Sequence, residues 1–276
     1  MEDCVKHDEK KPVGLLLPRR TLIRGVGIAL AMAPFAQLLA CGGGTDDGSG
    51  TDDGGGKGNG TWATGGTAAM SGNYPDPFAS GIGSACTVYK AATLGPCYAA
   101  TVDRKDISEA QPGLPVRLAF LIVNPSCQPV PGATVDVWHT NPAGLYSGSD
   151  ASNMCTNGNA AARASRWFRG IRATDANGRV DFDTCFPGWY SSRTIHIHFT
   201  VRVGGTEYLT SQLFFEDALN NEIISTQTLY SSRGAKDTTN VNDNVLRQSG
   251  LTDYYFQTQK MDDGALLAWK TIVVHA

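Results

Sequence analysis

The sequence lacks an excess of charge of either sign. It has 23 lysine and arginine residues against 26 aspartate and glutamate residues, and its formal net charge at pH 7 is -3. Proteins that bind nucleic acid usually show a basic balance or a basic patch, so the composition gives no support to a nucleic-acid partner. The 276 residues, 41% of them hydrophobic, suffice for one large domain or two small ones with a real core.

A long apolar run is also missing. The apolar stretch at residues 26–40 is short for a membrane span and has the shape of an export signal. The preceding Arg19-Arg20 pair, followed by leucine and isoleucine, resembles a twin-arginine signal. Leu38-Leu39-Ala40-Cys41 resembles a bacterial lipoprotein box, in which Cys41 is acylated. We expect residues 1–41 to be a twin-arginine-like lipoprotein signal that anchors an exported protein to the cell envelope, facing the periplasm or the exterior. The alternative is an ordinary signal peptide with a chance cysteine.

Residues 42–84 are poor in side chains that can pack. Gly, Asp, Ser and Thr dominate, which is typical of a flexible, solvated tether. Two Asp-Asp pairs in this stretch lack the spacing of an EF-hand calcium loop. We therefore expect a disordered linker at residues 42–84 and a folded domain at residues 85–276.

The domain shows many short apolar or alternating segments separated by Gly and Pro turns. This pattern predicts an all-β protein, a β-sandwich with long active-site loops. The strands are expected at residues 116–123, 133–138, 179–184, 194–203, 207–215 and 269–274. Residues 217–228 suggest a short helix, and the polar stretch at residues 147–166 suggests a long loop, which is usually functional or disordered.

The segment Arg193-Thr-Ile-His196-Ile-His198 carries the strongest chemical signal. Because side chains alternate along a strand, His196 and His198 point to the same face while Ile197 points back into the core. Tyr190 ends a Pro-Gly turn just upstream, and a second Gly-x-Tyr motif places Tyr146 earlier in the chain. Two phenolates and two imidazoles form a hard, anionic ligand set, which suits ferric iron better than zinc or copper.

An ordered series of motifs extends this signal across much of the domain. Its members are Val130-Pro-Gly-Ala-Thr-Val-Asp-Val-Trp-His139, Gly144-Leu-Tyr146-Ser-Gly148, Arg169-Gly170, Thr174-Asp-Ala-Asn-Gly178, Pro187-Gly-Trp-Tyr190 and Arg193-Thr-Ile-His196-Ile-His198. The series resembles the intradiol ring-cleavage dioxygenases, which include protocatechuate 3,4-dioxygenase and catechol 1,2-dioxygenase, and above all their exported bacterial members. The resemblance implies an enzyme that cleaves a catechol-type ring between its hydroxylated carbons with O₂, giving a cis,cis-muconate-type diacid.

The same resemblance implies a role for each matching residue. Fe(3+) would be held by Tyr146, Tyr190, His196 and His198. Tyr190 would be the ligand that leaves when substrate binds and takes a substrate proton, while Tyr146 stays bound. Arg193 would stabilise negative charge that develops on the ring, and Gln212, on the following strand, is a further expected catalytic residue. The implied partners are a small aromatic diol and O₂. The sequence leaves the oligomeric state open, and a homo-oligomer is compatible with it.

Two other readings of the motifs stand beside this one. Transthyretin-like and carboxypeptidase-regulatory-like β-domains share several of the turn motifs and the architecture, and serve as stalks or binding modules without iron. They do not need Arg193-x-x-His196-x-His198 together with Tyr146. A zinc or copper hydrolase could use the two histidines, but an obvious carboxylate or third histidine is missing, since His139 beside Trp138 is more typical of a packed or outer-shell residue.

Five cysteines remain in the predicted domain: Cys86, Cys97, Cys127, Cys155 and Cys185. Export to an oxidising compartment favours disulfides, but five is an odd number, so at least one thiol is unpaired or pairs elsewhere. Spacing leaves the connectivity open. We expect Cys86–Cys97 as a local bridge and Cys155–Cys185 around the site, with the alternative that some are buried as small apolar residues.

Overall fold

In the computed structural model, which describes residues 61–81 and 86–276, two four-stranded sheets form most of the domain. The strands, in chain order, are β1 Pro115–Val123, β2 Thr134–Trp138, β3 Arg169–Ala173, β4 Arg179–Cys185, β5 His196–Val203, β6 Thr206–Phe214, β7 Gln257–Lys260 and β8 Leu266–Val273. The helices are α1 Ala160–Ala164, α2 Asp217–Thr226, α3 Thr228–Ser231 and α4 Asn244–Ser249, with 3-10 turns at Gly66–Ala69, Asn240–Asn242 and Leu251–Tyr254.

The first sheet has the order β4-β1-β8-β7 and the second has the order β3-β2-β5-β6. Within the first sheet β1 and β8 are parallel, whereas the other named pairs of both sheets are antiparallel. One apolar cluster lies between the sheets, and Phe120 of β1 packs there against Phe199 of β5 with ring centroids 5.9 Å apart. Stacked sheets that bury their inner faces against each other form a β-sandwich, so the predicted fold class is confirmed.

The alternation of β5 separates the core from the site. Ile197, Phe199 and Val201 belong to the cluster between the sheets, so His196 and His198 lie on the opposite, outer face of the second sheet. That face is buried too, because loops from several parts of the chain cover it. The fold therefore places the two histidines beneath loops rather than in the centre of the sandwich.

Two strands were missing from the sequence-based expectation. β3 begins with a buried arginine and a glycine, and β7 is wholly polar, so neither shows an apolar alternation. The six predicted strands and the predicted helix at 217–228 all appear, the helix ending at Thr226. The predicted loop at 147–166 is wrong in one detail, because Ala160–Ala164 forms a short helix capped by the Asn159 side chain, which accepts from Ala162 N.

Residues 61–81 pack against the domain, so the linker prediction is wrong for this stretch. Trp62 is buried in the core cluster and its indole N–H donates to Glu222 at 2.7 Å. Tyr74 donates to Asp263, and Phe78 packs on the outer face of β1. The physical reason is that β1 is buried on both faces, and its outer face needs apolar cover. Composition alone did not reveal these few large side chains among the glycines.

The expected disulfides are also wrong. The bridges join Cys86 to Cys127 and Cys97 to Cys155, while Cys185 is a buried free thiol. Cys86 and Cys127 come together because the chain near residue 86 runs beside the end of β1. Cys185 ends β4 among Ala162, Trp167 and Phe168, where burial raises its pKa to about 12 and keeps it a neutral, apolar side chain.

The predicted signal at residues 1–41 and the predicted linker as far as residue 60 lie outside the described residues. Among the helices of the two described stretches, none is both long enough and apolar enough to cross a bilayer.

Candidate metal centre

The strand β5 sets the first half of the centre. His196 pairs with Phe214 and His198 with Gln212 across the β5–β6 ladder, which fixes both Cα positions. The His198 ring stacks on Trp138 of the neighbouring strand, with ring centroids 5.0 Å apart and an interplanar angle of 11°. The two imidazole Nε2 atoms lie 3.2 Å apart, so the ladder and the stacking present both nitrogens to one point.

The second half of the centre comes from two loops. Tyr146 and Tyr190 lie in loops that pack backbone against backbone, and a glycine makes each contact possible. A side chain at Gly144 would overlap the carbonyl oxygen of Trp189, and one at Gly188 would overlap the carbonyl oxygen of Pro142. This explains why both Tyr-bearing motifs need a glycine two residues before the tyrosine.

The four candidate ligands meet around His196. Its Nε2 atom lies 3.2 Å from Tyr190 Oη, 3.4 Å from Tyr146 Oη and 3.2 Å from His198 Nε2. Atoms that share one metal ion at about 2.0 Å lie about 3.3 Å from each other in a tetrahedral arrangement. The observed spacing therefore matches a set of donors around a common cation.

The chemistry of the donor atoms also fits a cation. His196 Nδ1 lies 2.7 Å from the carbonyl oxygen of Thr194, an acceptor, so Nδ1 carries the proton and Nε2 presents its lone pair to the centre. His198 Nδ1 is buried without a hydrogen-bond partner. Lone pairs that face one another at these distances repel unless a proton or a cation lies between them, so the residues fit a bound metal ion.

Burial shapes the charges of these groups. It lowers the pKa of His196 and of His198 well below the ordinary value, so both imidazoles are neutral and free to bind metal. It raises the pKa of Tyr146, with the neighbouring Tyr190 adding to the effect, and it also raises the pKa of Tyr190. Two largely desolvated phenols next to neutral imidazoles need an added positive charge to ionise, which a bound metal cation would supply.

Zinc-type ligation finds less support. In residues 61–81 and 86–276 no group of three or more His, Cys, Asp or Glu side chains could hold a metal ion. His139 lies apart, with Nδ1 2.8 Å from Thr140 O and Nε2 2.8 Å from Thr184 Oγ1, and its ring stacks on Phe168. Burial lowers its pKa to about 3, so it is a packed neutral histidine, as the sequence suggested.

Arg193 and Gln212 extend the cluster beyond Tyr190. Arg193 Nη1 donates to Tyr190 Oη at 3.4 Å and Nη2 donates to Gln212 Oε1 at 2.6 Å. Gln212 Nε2 donates in turn to the carbonyl oxygen of Thr93 at 3.0 Å. The structure thus brings together all six residues singled out in the sequence. Tyr146 and both histidines are buried, whereas Tyr190 and Arg193 are partly exposed, so the centre is reached from their side.

Two residues near the centre were missed. Arg169 is fully buried beside Tyr146, its guanidinium carbon 5.9 Å from the Tyr146 ring centroid, and it donates to the carbonyl oxygens of Ser147 and Cys97. The Arg169-Gly170 motif was a signal without an assigned role. Asp243 accepts from Arg193 Nε at 2.8 Å, and nothing in its local sequence marks it.

Comparisons with known proteins connect the chain with dioxygenases. A family model described as "Dioxygenase" matches residues 89–256, more than half of the chain. A chlorocatechol 1,2-dioxygenase of Pseudomonas putida is 33% identical over 31% of this chain and 36% of its own length. Catechol 1,2-dioxygenase 1 of Acinetobacter lwoffii is 27% identical over 44% of each chain. The chain thus spans less than half the length of these curated relatives.

A solved structure described as an intradiol ring-cleavage dioxygenase from Tetranychus urticae is similar over 68% of this chain and 94% of its own. The TM-score is 0.61 and the identity 23%, which shows a shared fold.

Proposed function

This chain belongs to the intradiol ring-cleavage dioxygenase family, and from that premise we propose that it is a non-haem Fe(III) dioxygenase. Its reaction would open a catechol-type ring between the two hydroxylated carbons. The observation that carries the proposal is that Tyr146 Oη, Tyr190 Oη and His198 Nε2 all lie within 3.4 Å of His196 Nε2. A sandwich module that only binds a partner has no need of four donor side chains gathered in this way.

Bound ferric iron would supply a Lewis acid that holds a catecholate and makes its ring reactive towards O₂. Both oxygen atoms enter the product, so a catechol and O₂ give a cis,cis-muconate-type diacid without an external reductant.

The protein groups divide the remaining work by their positions. Tyr190 is the partly exposed phenol of the pair, so it is the donor that can swing away and accept a catechol proton at Oη. Tyr146 is 2% exposed and stays in place. Arg193, which already points Nη1 at Tyr190 Oη, would face negative charge on the ring.

Oxygen uptake with a panel of catechols, followed by identification of the ring-opened product, tests this function. We expect uptake and product to appear together and to vanish in His196→Ala, which removes the imidazole that contacts the other three donors. Uptake that persists in His196→Ala, or a product opened outside the two hydroxylated carbons, would contradict the proposal.

We also propose that the protein works outside the cytoplasm, attached through acylated Cys41. Two disulfides, Cys86–Cys127 and Cys97–Cys155, support an oxidising compartment. In a bacterium that processes lipoproteins, the full chain should fractionate with membranes, and Cys41→Ser should be soluble or unprocessed. Equal membrane retention of both forms would contradict acylation.

The export route has a separate test. Replacement of Arg19 and Arg20 by lysine should block export, and undiminished export would indicate another route.

A further inference from the structure

The turn that carries Tyr190 and Arg193 is held by a segment far away in sequence. Within residues 233–243, Arg233 donates to the carbonyl oxygen of Trp189, and Asp237 accepts from Ser191 Oγ at 2.8 Å and from Ser192 N at 3.1 Å. Asn240 Oδ1 accepts from Thr194 Oγ1 at 2.7 Å. Each of these contacts fixes the backbone or a small side chain of the turn.

Asp243 is the member of this segment that reaches the functional side chain. Its two carboxylate oxygens have different main partners. Oδ1 caps helix α4, accepting from Val245 N and Leu246 N at 2.9 Å each, and it also accepts a long hydrogen bond from Arg193 Nη2 at 3.5 Å. Oδ2 accepts from Arg193 Nε at 2.8 Å and from Thr194 N at 3.0 Å. A helix cap needs one oxygen, which serine, threonine or asparagine supplies equally well. The second oxygen therefore needs another reason.

That reason is the guanidinium of Arg193. The Asp243 side chain is 0% exposed and that of Arg193 is 15% exposed, so both charges are largely removed from water. A buried carboxylate is tolerated when its lone pairs are satisfied and its charge is paired, and here N–H donors surround both oxygens. Burial acts against the Asp243 carboxylate, but hydrogen bonds from Arg193 and from the α4 backbone offset it, and the pKa of Asp243 lies below its ordinary value.

The hydrogen bond from Arg193 Nε to Asp243 Oδ2, called the clamp below, decides where the rest of the guanidinium points. With Nε held by Asp243, the planar group aims Nη1 at Tyr190 Oη and Nη2 at Gln212 Oε1. We propose that Asp243 is a positioning residue of the reaction, acting through Arg193 and resting on the function proposed above. It holds the guanidinium where negative charge of the bound aromatic diol develops, and it ties that position to helix α4.

The test begins with Asp243→Asn in the full chain. Asparagine keeps the α4 cap at Oδ1 but turns an NH₂ group towards Arg193 Nε–H and Thr194 N–H, so donors face donors. We expect iron content and circular dichroism like the wild type, with turnover reduced by about tenfold or more, since one aimed charge is worth about 10²–10³ in rate. Catechol should still bind, seen as a change in the visible spectrum. Asp243→Ser, which keeps the cap and leaves room for water, should behave in the same way.

A double-mutant cycle separates positioning from general damage. In a chain that already carries Arg193→Ala, adding Asp243→Asn should change turnover by less than about twofold, because Asp243 acts through the missing side chain. The matched control is Leu246→Ala, which removes a buried side chain of the same helix and should lower thermal stability while leaving turnover within about twofold. The proposal would be overturned if the two substitutions reduced turnover independently, so that their fold-changes multiplied in the double variant. A Leu246→Ala variant as slow as Asp243→Asn would overturn it as well.

A second readout does not depend on turnover. In the metal-free, ¹⁵N-labelled full chain, the Arg193 Nε–H resonance, assigned by its absence in Arg193→Ala, should be protected from exchange with water and lose that protection in Asp243→Asn. Equal protection in both would overturn the clamp. If the wild type consumes no oxygen with any catechol, the proposed function and the catalytic part of this inference fall together, while loss of protection in Asp243→Asn would still establish the clamp.

Discussion

The two halves of the centre are held by different means. His196 and His198 lie on β5, where antiparallel ladders to β2 and β6 fix the backbone on both sides. Tyr146 and Tyr190 lie in loops, where no ladder exists and position depends on glycine contacts, a disulfide and the segment 233–243. The strand half is therefore rigid by virtue of the fold, and the loop half can move as the proposed exchange of Tyr190 requires.

The largest expected effect comes from the disulfide beside the loops. Cys97–Cys155 packs with Trp138 and Tyr146, whereas Cys86–Cys127 packs on the outer face of the other sheet. Removing either bridge by paired serine substitution should cost about 4 kcal/mol in unfolding free energy by loss of chain constraint. Only the Cys97–Cys155 variant should also lose iron affinity. Urea unfolding and metal titration measure the two effects, and equal loss of iron in both variants would show that the loops are not held locally.

Next in size is the glycine contact between the Tyr-bearing loops. Gly144 has φ of +77 and its missing side chain leaves room for Trp189, so Gly144→Ala should cost about 3 kcal/mol and release iron. Gly204, with φ of +57 and open space around it, is the matched control. Gly204→Ala should cost about 1 kcal/mol, from backbone strain alone, and keep iron. Equal costs in unfolding free energy for Gly144→Ala and Gly204→Ala would mean that the two Tyr-bearing loops can separate freely.

The smallest effects separate the two tyrosines within the loop half. Tyr146→Phe should weaken iron binding by about a hundredfold or more. Losing a group that only hydrogen-bonds to a metal ligand already costs about 10–100-fold in metal affinity, and Tyr146 is proposed to bind the metal directly. Tyr190→Phe should weaken it by about tenfold, keep a shifted visible band and lose turnover, since the departing base is gone. A competitive chelator titration gives both affinities. Wild-type turnover in Tyr190→Phe would show that Tyr190 is not the base.

The contrast between the strand half and the loop half also decides how much of the centre can be predicted from the sequence. Period-two alternation predicts β5 and the shared face of His196 and His198, because a strand fixes side-chain direction locally. The tyrosines follow only from their ordered motifs. The contacts of Asp243 and Cys97 with residues about 50 or more positions away leave no local trace, so neither the clamp nor the disulfide was predicted. β3 escaped prediction because its buried Arg169 serves the centre rather than the core.

Metal analysis with a visible spectrum tests the central claim most directly. Full chain produced with both iron and zinc available should contain about one iron per chain and show a visible band from tyrosinate-to-iron charge transfer. That band should shift in Tyr190→Phe. Stoichiometric zinc, no iron and no visible absorption would contradict the two-tyrosine, two-histidine iron centre.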